Sequence, residues 1–425
     1  MSFEKLIRQS ITGKLFYYST ALAVSIVFSR GLGAAGSGGF FYAVNNFSLA
    51  VLLLGLSLES SFVYYGKRGA VQAHALLVLS LLWSGIAAIC SFAFFYFFEH
   101  RSSAIPFYAL LFVGGTLLSN FSAAVFMVHK QFGRPFWVLG GVNVLLLIVV
   151  WLAFTHDTNS IVVLSFFIAT AAGGIVLFVL ANFRCVPLFS FKWVSAEMLR
   201  SLFTYSIIAF AANLIFFLEC RIDYWFVYAK CSAQDLGNYV QASRIGQFLL
   251  IVPQTLAAVV FAEVSGNRSF KMMQENFARL VRIFLQLFVL AGIAIAICGN
   301  VVVAWVLGAG YDKVSVLLLC LLPGIACLSV LSLCSAVLGG VNKVRVTVKG
   351  SAIGLVIVLL GNVLLLPLYS VYVAAFVSVV GYAVNMLYSL YHVRKEGEKG
   401  MPIFRFMKSD WQWLGSLILY PKLKR

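Results

Sequence analysis

Apolar positions along this chain come in blocks. From about residue 12 onward, runs of Leu, Val, Ile, Phe and Ala follow one another, and the short segments between them hold most of the charge. Neither the 3.6-residue stripe of a surface helix nor the alternation of a half-buried strand is sustained. A helix needs about 20 mostly apolar residues to cross the hydrocarbon core of a bilayer. Twelve stretches qualify: 12–29, 38–64, 74–98, 106–128, 136–154, 161–183, 201–228, 236–262, 283–306, 314–338, 348–367 and 369–391. The pattern predicts an all-α integral membrane protein with 12 transmembrane helices, in two six-helix lobes around a central cavity.

Charge sharpens this picture by sorting to one side. Alternate connections carry Lys5, Arg8 and Lys14; Lys67 and Arg68; Lys130 and Arg134; Arg184, Lys192 and Arg200; Arg268, Lys271, Arg279 and Arg282; and Lys343, Arg345 and Lys349, and the tail adds eight more cations. The opposite side carries only Arg30, Arg101, Lys230 and Lys313. Positive residues gather on the cytoplasmic side of membrane proteins, so both termini are expected there. The net charge of +17 is thereby assigned to topology, and nucleic acid is not expected as a partner. With 62% hydrophobic and 11% charged residues, the chain lies far from the average of about 25% charged residues in soluble domains.

The longest polar interruption, 184–200, divides the chain. The expected organisation is an N-terminal lobe over 1–183 and a cytoplasmic amphipathic helix over 184–200. A C-terminal lobe over 201–392 and a basic amphipathic tail over 393–425 follow. The halves echo one another: GFFYAVNNFSLAVLLLGLSLES from Gly39 resembles GNYVQASRIGQFLLIVPQTLAA from Gly237, which pairs Asn46 with Arg244. Such duplication is common among transporters. Met1–Ser10 is short and charged, without a cleavage pattern, so the first span is expected to act as the insertion signal. The Gly-rich run Gly31–Gly39 is expected to form a turn outside the membrane.

Chemistry concentrates in FFLECRIDYWFVY, Phe216 to Tyr228. A charged residue at the centre of a spanning helix costs roughly 2.5–3.5 kcal/mol even on the lenient insertion scale, and this segment holds Glu219, Arg221 and Asp223. The two acids, at i and i+4, share a helix face. Arg221 points about 200° away from Glu219 in a regular helix, so the charges require partners on other helices or water. The alternatives at this point are a charged lining of a water-filled cavity and a satisfied polar patch at headgroup level. Arg30, Arg221, Arg244 and Asn46 are candidates for holding an anionic head group, because guanidinium groups match phosphate oxygens with a planar fork of donors. Glu59, Glu219, Asp223 and Glu263 are candidates for exchanging a coupling ion, H⁺ or Na⁺. For Arg30 an interfacial anchor, and for Glu263 a helix-end charge, remain open beside these roles. No cofactor and no metal is expected: the five histidines and eight cysteines show no ligand spacing, and no Walker-type loop occurs.

The segment SRGLGAAGSGGFFYAVNNFSLAVLLLGLSLESSFVYYG resembles the opening of the polysaccharide-transporter family. RIDYWFV and LGNYVQASRIGQFLLIVPQTLAAVVFAEVSG resemble its seventh and eighth spans, and KSDW in the tail is similar to its tail. Span eight ends in FAEVSG, where relatives often carry a proline. This family stands beside the MATE antiporters and the MurJ-type lipid II flippases. The resemblance implies a Wzx-type flippase of a bacterial inner membrane, a transporter and not an enzyme. It would move undecaprenyl-diphosphate-linked repeat units of O-antigen or another surface polysaccharide by alternating access, coupled to a cation. Asp223, Arg244 and Arg30 match positions where the family pattern holds polar residues. The implied partners are the lipid-linked oligosaccharide, membrane lipids, a polysaccharide polymerase and a chain-length regulator. Two rival functions stay in view. One is a MATE-like antiporter of small cations, whose cavity would favour carboxylates. The other is a membrane glycan polymerase, which would need larger extracytoplasmic loops than those between these spans.

Overall fold

In the computed structural model the described residues are 3–68, 71–98, 104–154, 159–185, 195–265, 270–368, 370–397 and Asp410. Every regular element among them is an α-helix. The chain divides into two compact units, Met1–Phe217 and Leu218–Arg425. The first holds α1 (Phe3–Gly55), α2 (Leu58–Lys67), α3 (Ala73–Phe98), α4 (Ile105–Val128), α5 (Arg134–Phe154) and α6 (Asn159–Cys185). The division falls inside α7 (Ala196–Lys230). The second unit continues with α8 (Ala233–Phe248), α9 (Ile251–Ser265), α10 (Phe270–Leu307), α11 (Val314–Gly340), α12 (Val344–Leu365) and α13 (Val371–Glu396). Of the expected 184–200 helix, residues 186–194 lie outside the described residues, and Ala196 already begins α7. The tail expected over 393–425 is described only for 393–397 and Asp410.

Among the described residues, ten helices are long and apolar enough to cross a membrane, or eleven with the bent pair α8–α9 taken as one. The apolar part of α1, Ile11–Gly55, is 45 residues long, about twice what one crossing needs. It is interrupted at Gly33, with φ 69° and ψ 173°, so α1 is two spans and the total is the twelve of the sequence pattern. The protein is a multi-pass membrane protein. The turn expected over Gly31–Gly39 shrinks to that one residue. Glycine adopts positive φ without a Cβ penalty, and the small residues after it resume the helix at once.

The second span of each half is broken. In the first, Leu56 and Ser57 take φ values of 48° and 52°, a left-handed conformation that costs a non-glycine residue about 1–2 kcal/mol. Side chains from neighbouring helices hold the break, one through its backbone and one through a side chain. Trp83 Nε1 donates to the Leu54 carbonyl at 2.8 Å, and Asn213 Nδ2 donates to Ser57 Oγ at 3.0 Å. In the second half, α8 and α9 meet at a bend of 42°. Pro253 is the cause: it lacks an N–H, and its ring excludes the carbonyl four residues back, that of Leu249. In the register that pairs Gly39 with Gly237, the two breaks fall within about two turns of each other.

Within unit 1, α4 packs on α3 and α6, and α1 packs on α5. A cluster of Phe28, Phe40, Phe47, Phe112, Phe166 and Phe167 fills one end, with Phe28 and Phe40 stacked at 5.1 Å and Phe40 edge-on to Phe166 at 5.1 Å. Elsewhere α4 and α6 touch backbone to backbone. A Cβ on Gly174 would come 2.4 Å from the Gly115 carbonyl oxygen, and one on Gly115 would come 2.6 Å from Ala171 Cα. Backbone cannot swing aside as a side chain can, so Gly174→Val is expected to force the helices apart at a cost of about 1–3 kcal/mol or more. Size-exclusion recovery of folded protein should fall severalfold; wild-type recovery would mean the seam yields.

Unit 2 is built around α11, which packs against α8, α9, α10 and α13, with α12 on α13. The connection before α11 is fastened to the start of α8. Lys313 Nζ pairs with Asp235 at 2.6 Å, and the Asn238 amide bonds both Gly310 O and the Lys313 N–H. On α10, Arg282 is buried against Asp410.

Candidate functional site: a buried polar cluster in unit 2

A membrane helix that carries charge must find partners inside the protein, since lipid offers none. In the second half of α7 these partners come from three directions. Glu219 is fully buried and faces α12 and α13. Asn385 Nδ2 donates to both of its carboxylate oxygens at 2.9 Å and reaches Ser351 Oγ at 3.1 Å. Ser389 lies one turn beyond Asn385 and donates to its Oδ1 at 3.5 Å. Space for the carboxylate is made by glycine: a Cβ on Gly354 would come 2.1 Å from Glu219 Oε1.

Asp223, one turn on, is also buried. Its Oδ2 accepts hydrogen bonds from the Tyr239 hydroxyl of α8 and from Ser378 Oγ of α13, the latter at 3.0 Å. Its Oδ1 is buried with no hydrogen-bond partner. A carboxylate oxygen left so in a membrane interior is costly unless something neutralises it.

Arg221 faces differently, as its angle around the helix requires. It donates to Gln247 Oε1 of α8 at 2.6 Å and to the Tyr224 hydroxyl, and its guanidinium lies 5.0 Å from the Tyr224 ring centre. Arg244 is half-buried on α8, three residues before Gln247, which accepts from Arg221. Arg221 does not neutralise either acid by a direct ion pair in this arrangement; its polar partners are neutral.

The other candidates lie elsewhere. Glu263 is half-buried in the last turn of α9. Arg30, Asn46 and Glu59 belong to unit 1: Arg30 is exposed and Asn46 half-buried on α1, and Glu59 is half-buried in the first turn of α2. Sequence reasoning missed Asn385, Ser351, Ser378, Tyr239 and Gln247. One signal was present: Ser378, Asn385 and Ser389, at i, i+7 and i+11, put a polar stripe on one face of an otherwise apolar helix.

The sequence profile of the family described as "Polysaccharide biosynthesis protein" matches residues 60–316, and no curated protein matches the chain in sequence. Among solved structures, the fold is similar to the lipid II flippase MurJ in an inward closed conformation. That match has a TM-score of 0.71 and 16% identity, covering 97% of this chain and 93% of that one. It is also similar to an inward-facing multidrug resistance MATE transporter of the MOP superfamily, with a TM-score of 0.70, 14% identity and coverage of 90% and 95%. A MOP superfamily transporter from Pyrococcus furiosus, described as having a binding pocket of reversed polarity, matches with a TM-score of 0.66 and 14% identity over 92% and 96%. Identities this low bear on the fold alone. The profile match takes in well over half of the sequence, from the second span to the start of α11 and through the whole charged part of α7, and by it this chain belongs to the polysaccharide biosynthesis protein family.

Proposed function

We propose that the protein is a flippase for lipid-linked oligosaccharides, carrying undecaprenyl-diphosphate-linked repeat units across the inner membrane of a bacterium by alternating access, with H⁺ or Na⁺ as coupling ion. The reading rests first on one observation: in unit 2 a single spanning helix carries Arg221, bonded to Gln247 of α8, together with two buried carboxylates, Glu219 and Asp223. Guanidinium groups suit a diphosphate, and carboxylates within a membrane suit a small cation. Membership of the polysaccharide biosynthesis family supports a glycan-bearing substrate. The fold shared with MurJ and MATE transporters supports transport over catalysis. Arg30 and Asn46 are assigned anion-binding roles, and Glu59 and Glu263 ion-exchange roles, on sequence grounds. Polymerase and chain-length regulator remain the expected partners downstream.

Arg221→Ala and Arg244→Ala are each expected to lower surface glycan at least about tenfold, the loss of one charge-assisted contact or more. Membrane levels should stay normal, and single repeat units should accumulate on undecaprenyl diphosphate. The assay is complementation of a deletion strain, with surface glycan and lipid-linked intermediates measured side by side. Normal glycan in both variants would sink the diphosphate role. Resistance to cationic drugs on expression, with glycan unaffected by deletion, would favour a small-molecule antiporter instead.

A further inference from the structure

We propose that Gln247 is a positioning residue for the diphosphate of the substrate: it aims the Arg221 guanidinium without cancelling its charge. This rests on the reading of the protein as a lipid-linked glycan transporter in which Arg221 meets the diphosphate. The observation is a set of neutral partners around one cation inside a membrane protein. Arg221 Nη2 donates to Gln247 Oε1 at 2.6 Å, and Gln247 Nε2 donates onward to Ser243 Oγ at 3.2 Å. From its other end Arg221 Nη1 donates to the Tyr224 hydroxyl. Tyr224 is buried, with its ring edge-on to that of Tyr239 at 5.8 Å and 84°.

The order of these bonds follows from what each group can do. A guanidinium has donors only, so the amide turns its oxygen to Arg221 and its NH2 is left for Ser243. Ser243 lies four residues earlier on α8 and shares a face with Gln247. That part of α8 is seated on α11. Gly246 is buried, and a Cβ there would come 2.1 Å from Ile325 Cδ1. Gln247 stands about 100° further round the helix and meets α7 instead. It is also the last turn before the bend, where its carbonyl accepts the Leu250 N–H at 3.0 Å.

The choice of partner carries the argument further. A carboxylate would bond a guanidinium more strongly than an amide does. Glu219 and Asp223 flank Arg221 on the same helix, yet it bonds to neither. The amide and the phenol take up two of its five N–H donors and leave the charge uncancelled at the contact. The other donors carry no hydrogen bond among the described residues. Arg221, Ser243 and Gln247 are each half-buried, so part of the group stays accessible to an anion. A bond that only joined α7 to α8 would be served equally by glutamine or glutamate, whereas a diphosphate site requires the neutral partner.

The test measures binding of undecaprenyl diphosphate carrying one N-acetylglucosamine to the full chain in phosphatidylcholine nanodiscs. Gln247→Glu is expected to weaken binding at least about tenfold, as loss of a charge-assisted contact does, with thermal stability equal to or above wild type. Gln247→Met, which keeps the length and removes the acceptor, should weaken it about threefold, as loss of one hydrogen bond does. In an Arg221→Ala background the methionine substitution should have no further effect, because the glutamine acts through that arginine. Wild-type affinity in Gln247→Glu overturns the proposal and makes the contact a plain bond between helices. So does an undiminished effect of Gln247→Met with Arg221 already removed, a comparison that stands even where the glutamate variant fails to fold. Equal displacement of the probe by phosphatidylglycerol also overturns it, in favour of an ordinary headgroup contact. Wild-type binding in Arg221→Ala overturns the diphosphate reading of that arginine, and the proposal falls with it.

Discussion

Asp223→Asn is expected to lower glycan export by at least about tenfold, in line with loss of a buried functional charge, while the protein stays folded. Asparagine has the shape of aspartate, and its carbonyl oxygen can still accept from Tyr239 and Ser378. What it cannot do is carry a negative charge at Oδ1, the oxygen that the structure leaves buried without a hydrogen-bond partner. If that oxygen receives H⁺ or Na⁺ during the cycle, the variant is locked in the equivalent of its loaded state. Ion-driven transport in proteoliposomes then stops responding to the imposed gradient. The neighbouring Glu219 carboxylate does not substitute, because Asn385 already occupies both of its oxygens. A variant that exports normally and still follows the gradient would remove Asp223 from coupling. One that fails to reach the membrane would be set against Asp223→Glu, which keeps the charge.

The spans were legible because bilayer thickness sets one length for all of them, so apolar runs can be counted without knowing any contact. Other features depend on what lies across from a residue. The bend before Pro253 is written in the sequence. The break at Leu56–Ser57 has no proline and only Gly55 before it; Trp83 takes up the Leu54 carbonyl there and Asn213 holds the Ser57 hydroxyl. The acids of α7 drew notice because charge is costly in a membrane, and their i, i+4 spacing gave their common face. Which helix that face meets was not available, since spacing within one helix does not say what lies across from it. Asn385 and Ser378 were therefore missed, 166 and 155 residues from their acids. Arg282, one of the charges counted on the cytoplasmic side, is buried with its partner 128 residues away, a pairing that no local pattern shows.

That pair carries the largest expected effect on stability. Asp410→Ala should destabilise unit 2 by about 3–5 kcal/mol, the usual result of removing one partner of a buried pair. Arg282 Nε donates to Oδ2 and Nη2 to Oδ1, both at 2.7 Å, with side-chain exposures of 2% and 0%. This fork-to-fork geometry uses both carboxylate oxygens at once, so alanine removes two charge-assisted bonds of a buried guanidinium together. Thermal unfolding of the purified protein should show a drop of several degrees. The pair need not be a net gain over apolar packing, because desolvating both ions offsets much of their attraction. Arg282→Met with Asp410→Leu should therefore recover most of the loss, and a double variant as unstable as Asp410→Ala would mean that the ion pair itself, not merely its completeness, is what stabilises unit 2 there. Wild-type stability in Asp410→Ala would mean instead that Arg282 reaches water or another acid when its partner is gone.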